Sequence, residues 1–399
     1  MTAMPLTTKM RYVSGPCLRR LKGFGLHPWC CLAALVLMWQ AAPAAEALDN
    51  TAVPPASASL PWITVSPDGT HFTAGKAGPR FDCWGVNYDR DDAGRLLEEY
   101  WEQEWSTVEE DFREMKALGC KVVRIHLQTA AFLSGQDRPD EGNLKRLARL
   151  IRLAESCGLY LKVTGLGCYH KDKVPLWYSS LKETERWKVQ ARFWQEVAKV
   201  CRDQPAVFCY DLMNEPLVSG GEAPEDWLPG KPLGGKHYVQ RITTAAAGRK
   251  ETEIARDWVA TLCGAIREVD SRHLITVGVI PWAQVFKGAK PLFYAPGVRG
   301  PLDFVSIHLY PRSGKLEEDI AALRVYEIGK PLVIGEFFPL SASYDETAAL
   351  VEKAGAWADG WMSFYWGKTI AEYRKETTPA AALMSGWLER FHAMGASRR

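Results

Sequence analysis

Apolar residues along the chain fall into two alternating kinds of segment. One kind is short, rich in β-branched and aromatic residues, and recurs eight times, at 81–88, 121–127, 159–165, 207–213, 274–279, 304–309, 332–335 and 361–366. The other is longer and carries apolar positions at helical spacing, at 107–118, 143–157, 183–201, 251–269, 315–328 and 344–356, with 380–394 closing the chain. Strands alternating with helices predict parallel βα units, and eight of them predict a closed (β/α)8 TIM barrel, an α/β fold, rather than an open sheet. Gly119 and Gly158 stand where a left-handed residue would stop a helix just before a strand. The stretch 281–301 is Gly- and Pro-rich and only weakly helical, which makes the fifth unit the least regular. A long interruption, 217–248, follows the fourth strand, and loops of that length usually serve function.

The first 45 residues carry Lys9, Arg11, Arg19, Arg20 and Lys22 and no acid. An uncharged, largely apolar run from Trp29 to Gln40 follows, and then a small-x-small site at Ala42-Pro43-Ala44. This predicts a signal peptide over 1–45 whose apolar core is short for a bilayer, so that cleavage is expected over anchoring. The corresponding locations are secreted or periplasmic, with a membrane-anchored form through an uncleaved leader as the alternative. The Ala-, Pro- and Ser-rich segment 46–59 reads as a linker, and 60–399 as one catalytic domain.

Charge alters this picture little. The whole chain carries 49 basic and 47 acidic residues, for a net charge of +2. Without the leader the balance turns slightly acidic, and no nucleic-acid partner is implied. Seven cysteines lie outside the leader, at 83, 120, 157, 168, 201, 209 and 263, without metal spacing. Several interrupt apolar runs, so they are expected to be buried small hydrophobes and not disulfides.

In such a barrel, the informative residues are polar ones that end apolar strands, because the strand ends line the mouth. The fourth strand ends in Asn214-Glu215-Pro216 and the seventh in Gly335-Glu336-Phe337. Two carboxylates on opposite strands could flank one glycosidic bond. With these motifs the chain resembles glycoside hydrolase family 5, the cellulase-fold family, over about residues 75–390. The resemblance implies a barrel, a β-linked carbohydrate substrate and no cofactor. It implies Glu215 as general acid/base and Glu336 as nucleophile of a retaining double displacement, with the carboxyl groups about 5 Å apart.

Further positions resemble the family: Arg124 and Tyr310 to orient the nucleophile, His308 near the acid/base, Asn214 for the sugar 2-hydroxyl, and Trp366 at the end of the eighth strand. Trp282, after the fifth strand, is the best placed of the loop aromatics to stack on a sugar; Tyr88, Trp177, Trp227 and Phe338 are further candidates. The pairs Arg124/His126 and His308/Tyr310 are each two residues apart, and so share a strand face. Many family members end the third strand in a His, but none stands there in this chain; His170 or His126 could fill that place. A monomer is expected. Three other readings stay open at this stage: a transglycosidase, a secreted carbohydrate-binding protein without turnover, and a metal hydrolase using His126, His170 and His308.

Overall fold

The computed structural model describes residues 59–218 and 226–398. The leader at 1–45 and all but the last residue of the linker at 46–59 lie outside the described residues. Eight parallel strands close into a barrel. In chain order they are β1 (Cys83–Tyr88), β2 (Val122–Gln128), β3 (Tyr160–Gly167), β4 (Val207–Asn214), β5 (Leu274–Val279), β6 (Val305–His308), β7 (Leu332–Phe337) and β8 (Gly360–Ser363). Each pairs with the next, and β8 returns to β1.

The outer ring is built from seven long helices: α1 (Trp105–Ala117), α2 (Glu141–Ser156), α3 (Glu183–Cys201), α4 (Glu251–Arg267), α5 (Leu316–Arg324), α6 (Tyr344–Ala354) and α7 (Pro379–Ala396). Their starts are written in the sequence. Asp140 caps α2, Ser343 and Glu346 form a capping box on α6, and Thr378 caps α7 ahead of Pro379. α5 is shorter than its apolar pattern predicts, because the amides of Tyr326 and Glu327 bond three residues back and tighten the last turn. As the sequence suggests, β5 has no long helix after it, only the single turn Trp282–Val285.

Strand alternation gives the barrel an apolar outside and an inside that is apolar at the floor and polar toward the mouth. Outward residues meet the helices: Trp84 of β1 stacks on Phe391 of α7 at 4.4 Å, and Phe337 of β7 packs edge-on against Trp387. Below, a hairpin pairing Ile63–Val65 with Phe72–Ala74, not foreseen from sequence, plugs the barrel floor. Its Phe72 meets Phe208 and Phe304 edge-on among the first residues of the strands. All seven barrel cysteines are buried and unpaired, as expected for small hydrophobes. No helix among the described residues is long and apolar enough to cross a membrane.

With no disulfide in the barrel, stability rests on noncovalent contacts. Thermal unfolding with and without a thiol reductant is expected to give the same melting temperature. A reductant-dependent fall would reveal a bridge.

Candidate active site

The upper half of the barrel interior is filled by charged and hydrogen-bonding side chains. At their centre is Arg124 of β2, fully buried, with all its nitrogens engaged. Its Nε donates to Thr164 Oγ1 at 2.8 Å and Asp211 Oδ2 at 3.2 Å, and its Nη1 to Asn87 Oδ1 at 2.9 Å and Glu336 Oε1 at 2.6 Å. Its Nη2 donates to Asn214 Oδ1 at 2.8 Å. A guanidinium suits this position because its planar fork serves several acceptors while always charged.

Beneath it, Lys162 of β3 is also fully buried and sits 3.0 Å from Asp211 Oδ2 and 2.7 Å from Ser306 Oγ. Asp211 of β4 therefore lies between two cations and also accepts from Thr164 and from the Gly278 amide. Burial opposes its charge, but Lys162 and Arg124 outweigh that and hold its carboxyl below the usual range. Strand glycines make the room. A Cβ on Gly278 would lie 2.6 Å from His308 Nε2, and one on Gly335 would lie 2.7 Å from Ser306 Oγ.

Above this layer the two glutamates meet across the mouth. Glu336 ends β7; Arg124 holds one of its oxygens and the Tyr310 hydroxyl, at 2.6 Å, holds the other. Glu215 follows β4 in a left-handed conformation, φ 47°, where the following Pro216 disfavours the right-handed helical region. Its amide is anchored to the Gly278 carbonyl at 2.9 Å, and its Oε1 lies 2.9 Å from His308 Nδ1. Carboxylate oxygens of Glu215 and Glu336 approach within 4.8 Å, with the His308 ring between them. That is the spacing of retaining glycosidases, about 5–5.5 Å, and too close for the about 6.5–9.5 Å of inverting ones.

Electrostatics separates the two carboxylates. Burial first, and then the neighbouring Glu336 anion, raise the Glu215 carboxyl to about 8 against the opposing pull of Arg124. Its side chain is 16% exposed, enough to meet a substrate. Burial, Arg124 and Lys162 push His308 well below its ordinary value, so it is a neutral imidazole. Burial and the Glu336 anion push the Tyr310 phenol well up, keeping it a donor. Glu215, His308 and Glu336 form the only potential metal-ligating group among the described residues. Both Glu336 oxygens are already taken by Arg124 and Tyr310, which leaves a poor ligand set.

Arg124, Asn214, Glu215, His308, Tyr310 and Glu336 thus converge as the sequence suggests. The aromatics need correction. Trp366 is 1% exposed and points its indole N–H toward Asp111, because the chain leaves the barrel after Ser363 and strand alternation no longer applies. The ring near the carboxylates is the half-buried Phe364, edge-on to Tyr310 at 6.3 Å. Tyr88 faces outward and bonds Asp111, Trp227 is buried against Tyr178 and Arg186, and Phe338 is buried against Trp387. Trp282 is half-buried beside Phe286, on the turn that leaves β5.

Just past β3, Tyr169 is buried with its hydroxyl 2.5 Å from His126 Nδ1. His170 is turned away to within 3.5 Å of Glu99, so His126, His170 and His308 form no metal cluster. Sequence reasoning missed Lys162, Asp211 and Asn87. A signal was available: opposite charges in the middle of neighbouring apolar strands need each other.

The family model for cellulase (glycosyl hydrolase family 5) matches residues 84–369. A mannan endo-1,4-beta-mannosidase A of Podospora anserina is 23% identical over 241 residues, which cover 53% of this chain and 56% of that protein. Among solved structures, the exo-beta-1,4-mannosidase Op5Man5 of an Opitutaceae bacterium superposes with a TM-score of 0.59 at 18% identity, covering 84% of this chain and 62% of the other. The endo-1,4-beta-mannanase of Rhizomucor miehei does so with 0.56 at 18% identity, covering 84% and 99%. The chain therefore spans less than two thirds of the Podospora and Opitutaceae proteins.

The glycines of the interior give a test of this packing. Gly278→Ala places a methyl against His308 and Asp211 in a filled interior and is expected to destabilise by about 1–3 kcal/mol. Denaturant unfolding checks it, and an unchanged midpoint would contradict the packing described.

Proposed function

The chain belongs to glycosyl hydrolase family 5, and from that premise we propose that it is a retaining glycoside hydrolase acting on β-linked mannan or glucan. The observation that carries this reading is the pair of carboxylates within 4.8 Å, one gripped by Arg124 and Tyr310 and the other raised in pKa beside a neutral His308. The mannosidase relatives favour a β-mannoside over a β-glucoside.

In the proposed mechanism Glu336 attacks the anomeric carbon while Glu215 gives its proton to the departing glycosidic oxygen. The bond to the leaving sugar breaks and a glycosyl ester forms on Glu336. Glu215, now a carboxylate, takes a proton from water as the water oxygen attacks the same carbon. That step frees the sugar with its configuration retained and restores both side chains. Arg124 and Tyr310 keep Glu336 aimed in both steps, and Asn214, fixed by Arg124 and the Tyr238 carbonyl, has a second amide hydrogen for the sugar 2-hydroxyl. Phe364, in place of Trp366, offers the apolar face for the sugar ring. We read residues 1–45 as a cleaved secretory leader, supported by five basic residues, no acid and the apolar run that follows. Polymeric substrates suit an enzyme outside the cell.

Hydrolysis of aryl β-glycosides and β-linked oligosaccharides tests the reading. Glu336→Gln is expected to abolish turnover on both; activity equal to the parent would refute the nucleophile. Glu215→Gln is expected to lose about a hundred- to ten-thousand-fold on oligosaccharides, the usual contribution of a positioned acid, and far less on aryl glycosides with good leaving groups.

The pH profile follows from the same pair. Glu215 works as an acid only below its raised value of about 8, so turnover is expected to fall as pH rises through that region. Glu215→Gln should remove this alkaline limb for the activated substrate, as measured by kcat/KM against pH.

A further inference from the structure

Resting on the function proposed above, the structure raises the question of how much of a sugar chain the mouth admits on each side of the cleaved bond. The two sides differ. On one, loops from four parts of the barrel are joined into a wall. Arg90, just past β1, lies over the ring of Tyr365, just past β8, at 3.7 Å, and its charge acts on the phenol of the nearby Tyr238. Tyr238 belongs to the long segment inserted after β4, and its ring packs on Tyr169, past β3, at 4.8 Å.

The backbone fastens the same seam. His237 N donates to Tyr169 O at 2.8 Å, Gln240 Nε2 to Leu166 O at 2.8 Å, and Asn214 Nδ2 to Tyr238 O at 3.0 Å. Asp89, fully buried behind Arg90 at 3.9 Å, places a carboxylate against the cation at the centre of the wall. The inserted segment is therefore tied across the mouth, directly against the asparagine that neighbours Glu215.

The other side presents exposed apolar residues, Val285 and Phe286. Glu215 comes to the centre from the side of β5 and β6, anchored to Gly278 and touching His308. The turn leaving β5 is held at the mouth by Gln284 Nε2, which donates to the Tyr310 carbonyl at 2.9 Å. This turn carries Trp282 and Phe286, rings 6.0 Å apart and tilted by 31°, with Phe286 56% exposed. Aromatic faces presented to solvent beside an acid/base suit stacking against a leaving sugar.

The leaving oxygen must lie by the acid Glu215, so the leaving portion of the substrate extends over β5 and β6, and the sugar that Glu336 attacks faces the wall. Any sugar beyond that one would be attached toward the non-reducing end and would have to pass through the Arg90–Tyr238 seam. We infer that the enzyme acts on chain ends, with a pocket that takes one non-reducing terminal sugar of a β-linked chain, and the rest of the chain lying over Trp282 and Phe286. The wall formed by Arg90, Tyr238, Tyr169 and Tyr365 is what excludes internal cleavage.

Product analysis on the full chain tests this, using β-1,4-linked manno- and gluco-hexaoses labelled at the reducing end beside p-nitrophenyl β-mannoside and β-glucoside. The expected early product is the labelled pentaose alone, with free monosaccharide released. Labelled products of mixed length from the first time points, with the aryl glycoside also hydrolysed, would overturn the end-acting inference and leave the hydrolase reading intact. No turnover of any of these substrates would overturn both.

A double variant, Arg90→Ala with Tyr238→Ala, opens the wall without touching the carboxylates. It is expected to shift the early products toward short labelled oligosaccharides from internal cleavage, read as the ratio of those products to the labelled pentaose. A double variant that hydrolyses the aryl glycoside and still yields only the pentaose would overturn the wall as the cause.

Discussion

Everything in the upper barrel is arranged around one buried guanidinium. Arg124 touches five acceptors on four other strands: Asn87, Thr164, Asp211, Asn214 and Glu336. A charge so buried survives only if its desolvation is offset by close, well-aimed partners, so each of those residues is placed by the same requirement. Asp211 needs Lys162, Lys162 needs Ser306, and the glycines at 278 and 335 are small because the group occupies the space a side chain would take. Breaking the set leaves an unpaired buried charge, and the penalty for that enforces one geometry.

That rigidity gives the glutamates different characters although they stand within 4.8 Å of each other. Glu336 has a donor on each oxygen. Glu215 touches the His308 imidazole, and burial and the nearby Glu336 anion favour its protonated form over the opposing pull of Arg124. The asymmetry lies in which strand each occupies: the β7 end faces Arg124, whereas the β4 end is carried away from it by the left-handed turn at Glu215. Neighbouring carboxylates with opposite tasks are expected wherever environments push their proton affinities apart.

The loops add selectivity to this centre. The insertion after β4 joins Tyr169, Arg90 and Tyr365 on one side, while the short turn after β5 leaves its aromatics uncovered on the other. Missing helical character at 281–301 and excess length at 217–248 are both irregularities of the repeating βα unit. The site is elaborated at both of them.

Much of this was legible before any coordinates. Short β-rich runs, helical spacing of apolar positions and the glycine stops at 119 and 158 marked the eight strands and seven helices, because those signals are local. The two glutamates were legible because each ends an apolar run, and Arg124 and His308 because they resemble family positions and alternation places each on one strand face with the residue two along. The sequence by itself therefore determined the barrel and which residues could face its mouth. Only the tertiary structure decided the rest, since it depends on contacts between distant segments. It paired Lys162 with Asp211, joined Tyr169 to His126, and set the Phe72 hairpin in the floor. It also turned Trp366 toward Asp111 and brought Phe364 forward once β8 lost its register, and it drew Tyr238 across to Tyr169. Periodicity assigns a side chain to a face, but which partners meet there is fixed by the closure of the barrel and by the need of each buried charge for a counterpart.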